Sequence, residues 1–237
     1  MVQFNKNILI FSAAIATCVG FNLSARAAVE APSGGGTAVE TFSASYGPCT
    51  SPLTGGENED LVLNKFDPSL GILTGVTLTL VSKDTIESEV IDLTTQNQAY
   101  SGATATLPVT MTALDGLTAT ATGVAGPFTG TANRPQNSTT VAGTSQVTTM
   151  TSANAAPEDF ILYEGAGQTF NVNVLVSDGI YSGSSAGNTV AFYGTGYSCG
   201  TVDVSYDYSP VPEPGTLAAG LGLLGYCGVR MVRRARA

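Results

Sequence analysis

Carboxylate side chains are the main candidates for chemistry in this sequence. Glu57, Glu59 and Asp60 lie together in a glycine-rich segment. Oxygen ligands of this type bind Ca²⁺, and a pair of carboxyl groups can hydrolyse a glycosidic bond. The spacing does not follow an EF-hand loop, however, and acidic residues beside glycine are common in ordinary turns. The three residues therefore remain a candidate Ca²⁺ site only, and no cofactor and no catalytic residue is predicted.

A second acidic pair, Glu87 and Glu89, is spaced two residues apart. Because side chains alternate between the two faces of a strand, both carboxylates share a face if this segment is a strand. Exposure to solvent or protection of a sheet edge explains such a pair without catalysis.

Histidine is absent from the whole chain. Its absence excludes Ser-His-Asp and Cys-His catalytic sites and any metal site with histidine ligands. No glycine-rich phosphate loop precedes a predicted helix. The side-chain chemistry therefore favours a protein that is not an enzyme.

Tyrosines are the other candidates for binding, since the chain has no tryptophan. Tyr206 and Tyr208 share one face of a predicted strand, and Tyr193 and Tyr197 do so if pairing continues past Gly194. A carbohydrate-binding module uses exposed aromatic side chains, but aromatics at this spacing more often pack in a core or across strands.

The elements that must position these residues are predicted to be strands. Hydrophobic residues make up 43% of the chain and charged residues 11%, and Gly, Thr, Ser and Val dominate its middle. Such a composition favours strands and turns. We expect an all-β fold: a single, jelly-roll-like β-sandwich of about eight to ten strands over residues 40–210, after a flexible start at 28–39. The strands are predicted at 61–63, 73–80, 87–93, 101–113, 118–124, 139–149, 158–163, 168–176, 189–193 and 200–208.

Charge is distributed unevenly along the chain. All 18 acidic residues lie between Glu30 and Glu213, where only Lys65, Lys83 and Arg134 are basic, which gives this part a net charge of −15. Such a body repels nucleic acid and anionic membrane surfaces. No nucleic-acid partner is therefore predicted.

Residues 1–27 have the three parts of a secretory signal peptide. Lys6 supplies a positive start, residues 8–23 are largely apolar and uncharged, and Ala25 and Ala27 are small residues at a cleavage site. This order predicts removal by signal peptidase between Ala27 and Ala28, and therefore export.

The four cysteines divide between the predicted signals and the predicted domain. Cys18 and Cys227 lie in the terminal segments, and Cys49 and Cys199 lie between them. Two cysteines in an exported domain predict one disulfide, with two buried free thiols as the alternative. Lipidation at Cys18 is an alternative to signal-peptide cleavage, but Thr17 is a poor residue to precede a lipidated cysteine.

The last 27 residues, 211–237, have a distinct order. Val211, Pro212, Glu213 and Pro214 form a break that cannot continue a helix or a sheet, and an uncharged run follows at 215–229. As a helix this run is about 22 Å long, shorter than the ~30 Å core of a bilayer. The positive residues after it should stay in the cytoplasm, so the run is predicted to be a transient transmembrane helix in the inner membrane. These residues are Arg230, Arg233, Arg234 and Arg236.

This tail resembles the PEP-CTERM sorting signal, which combines a Pro-Glu-Pro motif, an apolar helix and an arginine cluster at the C-terminus. The resemblance implies that an exosortase-type membrane transpeptidase is a partner. It also implies a Gram-negative-type envelope, often one that makes exopolysaccharide. A tail anchor that is never cut is the alternative.

The middle of the chain resembles choice-of-anchor E domains in two blocks, residues 65–73 and 200–208. The resemblance implies an architecture and a location over residues 40–210, but no chemistry. We therefore predict an exported cell-surface or extracellular-matrix protein with a structural or adhesive role, associated with exopolysaccharide. A carbohydrate-binding module and a glycoside hydrolase with a carboxylate pair are the alternatives.

Overall fold

The computed structural model describes residues 37–133 and 135–211. These residues form an all-β sandwich, which confirms the predicted fold class. Two short 3-10 helices, Pro157–Tyr163 and Ala186–Asn188, interrupt the strands. In chain order the strands are β1 (Ala38–Tyr46), β2 (Leu53–Thr54), β3 (Asn58–Asn64), β4 (Gly71–Asp92), β5 (Gln98–Thr112), β6 (Thr118–Ala132), β7 (Thr139–Asn154), β8 (Thr169–Val176), β9 (Ile180–Ser185) and β10 (Val190–Pro210).

The strands form two antiparallel sheets. The first sheet has the order β1-β10-β4-β7, and β2 pairs with β10. The second has the order β3-β8-β5-β6, and β9 pairs with β5. Because neighbours in each sheet are distant in sequence, long-range pairing holds the sandwich together, with β4 and β10 as the interior strands of the first sheet.

Two pairs of predicted strands are in fact single long strands. Residues 73–80 and 87–93 both belong to β4, and residues 189–193 and 200–208 both belong to β10. β4 continues because the intervening residues contain neither Gly nor Pro. β10 continues through its glycines because side chains from other strands cover them: a Cβ on Gly200 would lie 2.9 Å from the Tyr46 ring.

Other boundaries differ in smaller ways. The predicted strand at 158–163 is wrong, because Pro157 begins a 3-10 helix there. Proline fixes φ near the helical value and lacks the N–H that a sheet ladder needs. β1, β2 and β9 were not predicted, and β1 begins one residue before the end of the expected flexible start.

The main core fills one end of the sandwich. Val76, Leu78 and Leu80 on β4 are buried, as their alternation with threonine predicted. The ring of Phe66 packs against the rings of Tyr206 and Tyr208, with centroids 5.8 and 5.1 Å away. A smaller apolar cluster at the other end contains Val90, Tyr100, Ala103, Ala132 and Val190.

The described residues contain no helix long and apolar enough to cross a membrane. The predicted signal peptide and the predicted transmembrane helix at 215–229 both lie outside the described ranges.

Candidate functional site

A groove opens along one side of the sandwich, where β9 faces the first part of β10. Its volume is about 310 Å³. Tyr181 from β9, Tyr197 from β10 and Asp178 from the preceding loop line it, together with Thr54 and Thr195. Glycines at 55, 179, 194 and 196 form the rest of the lining. The groove therefore combines aromatic rings, hydroxyl groups and a carboxylate.

The groove exists because β10 lacks a partner on one side at this point. β1 pairs with β10 only from Gly200 onward, and β2 pairs only with Tyr197 and Ser198. Gly194 contributes no side chain, and the Tyr181 ring packs over it, so that a Cβ there would lie 2.5 Å from Tyr181 Cε1. Missing pairing and missing side chains together leave the space open.

The electrostatics of the groove are negative. Burial raises the pKa of the Tyr181 hydroxyl, and the charges of Asp178 and Glu89 raise it further. Tyr181 therefore stays a neutral hydrogen-bond donor at physiological pH. Asp178 is the one carboxylate in this lining. The pair that glycoside hydrolysis needs is not brought together there.

The three residues of the candidate Ca²⁺ site hold separate partners. Glu57 Oε2 accepts a hydrogen bond from the Thr54 N–H at 2.7 Å, and Glu59 Oε2 accepts one from the Gly47 N–H at 2.8 Å. Asp60 Oδ1 accepts one from the Asn173 amide at 2.8 Å. Within the described ranges no three Asp, Glu, His or Cys side chains form a group that could hold a metal ion. These carboxylates stabilise the start of β3 and its neighbours.

Glu87 and Glu89 share the outer face of β4, as their spacing predicted. The interpretation as edge protection is wrong, because β4 lies between β10 and β7. Burial raises the pKa of Glu89, and its hydrogen bond with Glu87 and the charge of Glu87 raise it further.

Cys49 and Cys199 form the predicted disulfide. Their Cα atoms are 5.3 Å apart, and the bond joins residues 150 positions apart in sequence. It connects the turn after β1 to the middle of β10. A covalent link over this separation is compatible with an exported protein.

A chain of buried polar groups lies beside the disulfide. Tyr46 Oη and Ser198 Oγ are 3.1 Å apart, and Ser198 Oγ and Ser82 Oγ are 2.9 Å apart. The Ser82 hydroxyl donates to Asp84 Oδ1 at 2.5 Å. Asp84 is only 2% exposed, and burial raises the pKa of its carboxyl group. Because these hydroxyl groups are buried, no substrate can reach them. The hydrogen-bonded series from Tyr46 to Asp84 is therefore a structural link between β1, β10 and β4.

The tyrosines divide between the core and the surface. Tyr206 and Tyr208 are buried, which confirms core packing. Pairing of β10 with β4 continues past Gly194, so Tyr193 and Tyr197 share the outer face, where they are 51% and 39% exposed. Of these two, only Tyr197 lines the groove.

Hydroxyl and amide side chains occupy many positions on the outer faces of both sheets. Cross-strand pairs join them: the Thr77 hydroxyl donates to Asn154 Oδ1 at 2.8 Å, and Thr110 and Thr120 hydroxyls are 2.9 Å apart. The same occurs on β9, where the Ser182 and Thr104 hydroxyls are 2.7 Å apart. The threonine-rich sequence thus forms ordered ladders on the sandwich surface.

The predicted sorting residues fall almost wholly outside the described part of the chain. Val211 is exposed, and its N–H donates to the Leu70 carbonyl at 3.1 Å. The rest lie beyond the described ranges: Ala27, Ala28, Pro212, Glu213, Pro214, Arg230, Arg233, Arg234 and Arg236.

Comparison with known proteins gives no family. No protein family matches this sequence, and no curated protein matches it. A chain of the T13 IBDV viral particle is 12% identical over 84% of this chain and 47% of its own length, with a TM-score of 0.14. A chain of the infectious bursal disease virus Gt strain is 14% identical over 98% and 54%, with a TM-score of 0.15. This chain spans about half the length of those viral chains. Similarities this weak give no basis for inferring a fold family or a function.

Sequence reasoning missed two groups that the fold brings together. Asp178 and Tyr181 reach the groove through a turn between β8 and β9, and the pair Asp178-Gly179 is a turn signal that marks it. Asp84 was missed because a charged residue in a strand is ordinarily exposed. The signal was its place in the inward register of Val76, Leu78 and Leu80.

Proposed function

We propose that this chain is an exported, non-catalytic protein of the cell surface or extracellular matrix, with a structural or adhesive role associated with exopolysaccharide. The observation that carries the proposal is a disulfide-linked β-sandwich whose outer faces carry cross-strand pairs of uncharged hydroxyl and amide side chains. Such faces remain hydrated and can exchange hydrogen bonds with a polysaccharide without any dedicated catalytic group.

We further propose a jelly-roll arrangement for the sandwich. With β2 and β9 set aside, the remaining eight strands form two sheets of four, β1-β10-β4-β7 and β3-β8-β5-β6. Two interlocked Greek keys give a double sheet of this kind. The strand order alone supports the jelly-roll arrangement, which concerns the architecture of the sandwich and not its activity.

Sorting is proposed to use the C-terminal segment. The Pro-Glu-Pro motif, the uncharged run and the arginine cluster support processing by an exosortase-type transpeptidase after transient anchoring in the inner membrane. The test follows a tagged full chain and a variant with Pro212, Glu213 and Pro214 changed to alanine. The parent chain should shorten and leave the membrane fraction, while the variant should keep its length and stay there. Equal size and membrane retention for both chains would contradict the proposal.

Carbohydrate binding in the groove is the second candidate function. Its support is the pairing of Tyr181 and Tyr197 with Asp178 and two threonines in one open groove. Stacking on an aromatic ring and hydrogen bonds to carboxylate and hydroxyl groups are how proteins hold sugars. The negative surroundings favour a neutral or amino sugar over a uronic acid.

A glycan array tests this candidate with variants of two tyrosines on the same face of β10. Tyr197→Ala should abolish glycan binding, because Tyr197 lines the groove. Tyr193→Ala is the matched control, since Tyr193 is exposed outside the lining, and it should bind as the parent does. If glycan binding survives Tyr197→Ala, or if the parent binds no glycan, the groove is not a sugar-binding site.

A further inference from the structure

Asp178 is the charged side chain in the lining of the groove. Three other aspartates at turns, Asp67, Asp92 and Asp115, each accept a hydrogen bond from the backbone N–H two residues later, at 2.9, 2.7 and 2.9 Å. Asp178 also lies in a connection between strands, but among the described residues its carboxylate has no hydrogen bond and no ion pair. Because this carboxylate does not stabilise its own turn in that way, it is available to a ligand.

Glycines keep this carboxylate accessible. A Cβ on Gly56 would lie 3.3 Å from Asp178 Oδ1, and a Cβ on Gly55 would lie 3.6 Å from it. The Tyr181 hydroxyl lies over Gly179, and it too has no hydrogen-bond partner among the described residues. Burial raises the pKa of this hydroxyl and the charge of Asp178 raises it further, as expected of neighbouring groups. The groove therefore holds a hydrogen-bond donor and a charged acceptor that the protein itself leaves unused.

Acidic side chains outnumber basic ones around the groove. Its lining, among the described residues, includes no lysine and no arginine. On β4, Glu87 lies opposite Thr195, which lines the groove, and the charge of Glu89 reaches Tyr181. Lys83 lies further along β4, opposite Cys199 and outside the lining. A cationic ligand is therefore attracted to the groove, and an anionic ligand is repelled.

We propose that the groove binds an amino sugar whose free ammonium group pairs with the Asp178 carboxylate. This inference rests on the second candidate function, carbohydrate binding in the groove, and names the class of sugar. A volume of about 310 Å³ is at the lower end of the range for ligand sites, so the groove holds a single sugar residue. The ring of Tyr197 lines the same space, and a carboxylate together with an aromatic ring binds ammonium groups.

The uncharged part of the lining favours a sugar over other cations. Thr54, Thr195 and Tyr181 place hydroxyl groups in the same groove as the carboxylate. A sugar has hydroxyl groups next to its ammonium group and can exchange hydrogen bonds with all of them, whereas a lysine side chain has only methylene groups there. Acetylation of the amine removes its positive charge, so the groove should distinguish free amino sugars from N-acetylated ones.

The test compares three tetrasaccharides with the same β-1,4 linkage, made of glucosamine, N-acetylglucosamine or glucose. Their affinities for the full chain, purified from an exporting host, are measured by calorimetry at low and at high salt. The parent should bind the glucosamine tetramer about tenfold more tightly than the other two, because only this tetramer carries ammonium groups. High salt should reduce that difference, since salt screens the attraction between charges.

Two variants separate pairing with Asp178 from general attraction to a negative protein. Asp178→Asn keeps the shape of the side chain and removes its charge, so the glucosamine tetramer should bind no better than the other two. Asp203→Asn, on β10 outside the groove lining, removes the same charge from the chain and should bind as the parent does. The comparison of the three tetramers on the parent needs no variant, so it stands even if a variant folds poorly.

The possible outcomes separate this inference from the proposed function. If the parent binds all three tetramers equally, the groove binds sugar but does not select amino sugars, and the inference is wrong. If the parent binds none of them, both the inference and the second candidate function are wrong. Glucosamine binding that survives Asp178→Asn, or that falls equally in Asp203→Asn, would overturn the inference. Equally tight binding of a lysine tetrapeptide would also overturn it, because the groove would then select charge and not sugar.

Discussion

The two halves of β4 place different chemistry between the sheets. In the first half, Val76, Leu78 and Leu80 point inward. In the second half, Ser82, Asp84 and Ser88 occupy the same inward register and are equally buried. Burial along a strand follows the alternation of its side chains, whatever their chemistry.

The two halves are therefore stabilised in different ways. The first half removes aliphatic and aromatic surface from water, a contribution proportional to area. The second half depends on the hydrogen-bonded chain from Tyr46 to Asp84, on aromatic rings packed over glycines, and on the Cys49–Cys199 disulfide at the boundary. Substitutions in each half test whether the two halves are stabilised in these different ways.

Removal of the disulfide is expected to have the largest effect. Changing Cys49 and Cys199 to serine should lower the free energy of unfolding by about 4–5 kcal/mol, because the bond closes a loop of about 150 residues in the unfolded chain. Urea unfolding of the parent and the double variant measures the difference. Hydrogen exchange should show the second half of β4 opening first. An unchanged unfolding midpoint would show that the polar half does not need the bond.

Leu80→Ala should be the next largest change. Leu80 is fully buried, and its loss leaves a cavity that should cost about 3 kcal/mol. Ile72→Ala is the matched control on the same strand, since Ile72 is 72% exposed and should change stability by less than about 0.5 kcal/mol. Equal effects in the two variants would contradict the assignment of the main core.

Gly200→Ala probes the close packing in the polar half. The new Cβ would lie 2.9 Å from the Tyr46 ring and would also contact the Val81 carbonyl. Overpacking of this kind should cost about 1–3 kcal/mol by thermal or chemical unfolding. Thr195→Ala on the exposed face of β10 is the control and should be nearly neutral. If Gly200→Ala unfolds like the parent, the Tyr46 ring does not pack tightly over Gly200.

Asp84→Asn should give the smallest change, and it should appear in the pH dependence of the free energy of unfolding. Burial raises the folded-state pKa of Asp84, so the folded state binds a proton more tightly than the unfolded state. This stabilisation is complete below the unfolded pKa of aspartate, about 3.9, and is lost as the pH rises through the higher folded pKa. Stability measured by urea unfolding from pH 4 to 7 should therefore fall less steeply in Asp84→Asn. An identical slope in parent and variant would contradict a role for Asp84.

Much of the sandwich could be predicted from local pattern, and the groove could not. The alternation in residues 76–80 identified a buried face because period 2 is a property of any strand. The length of β4 and β10 was underestimated because polar residues in β4 and glycines in β10 interrupt the apolar alternation. Asp178 lies in the loop before β9, and Tyr197 lies on β10 of the other sheet. No spacing along the chain predicts that both line one groove.

The sequence by itself determined the fold class, the disulfide pair and the buried tyrosines of the last strand. These follow from composition, the count of cysteines between the terminal segments, and side-chain alternation, all of which are local. Only the tertiary structure decided which strands lie at sheet edges, where the polar residues of β4 are buried, and that the three acidic residues at 57–60 hold separate partners. Those outcomes depend on strand order, because a strand's neighbours, and not its own residues, decide which of its surfaces remain open.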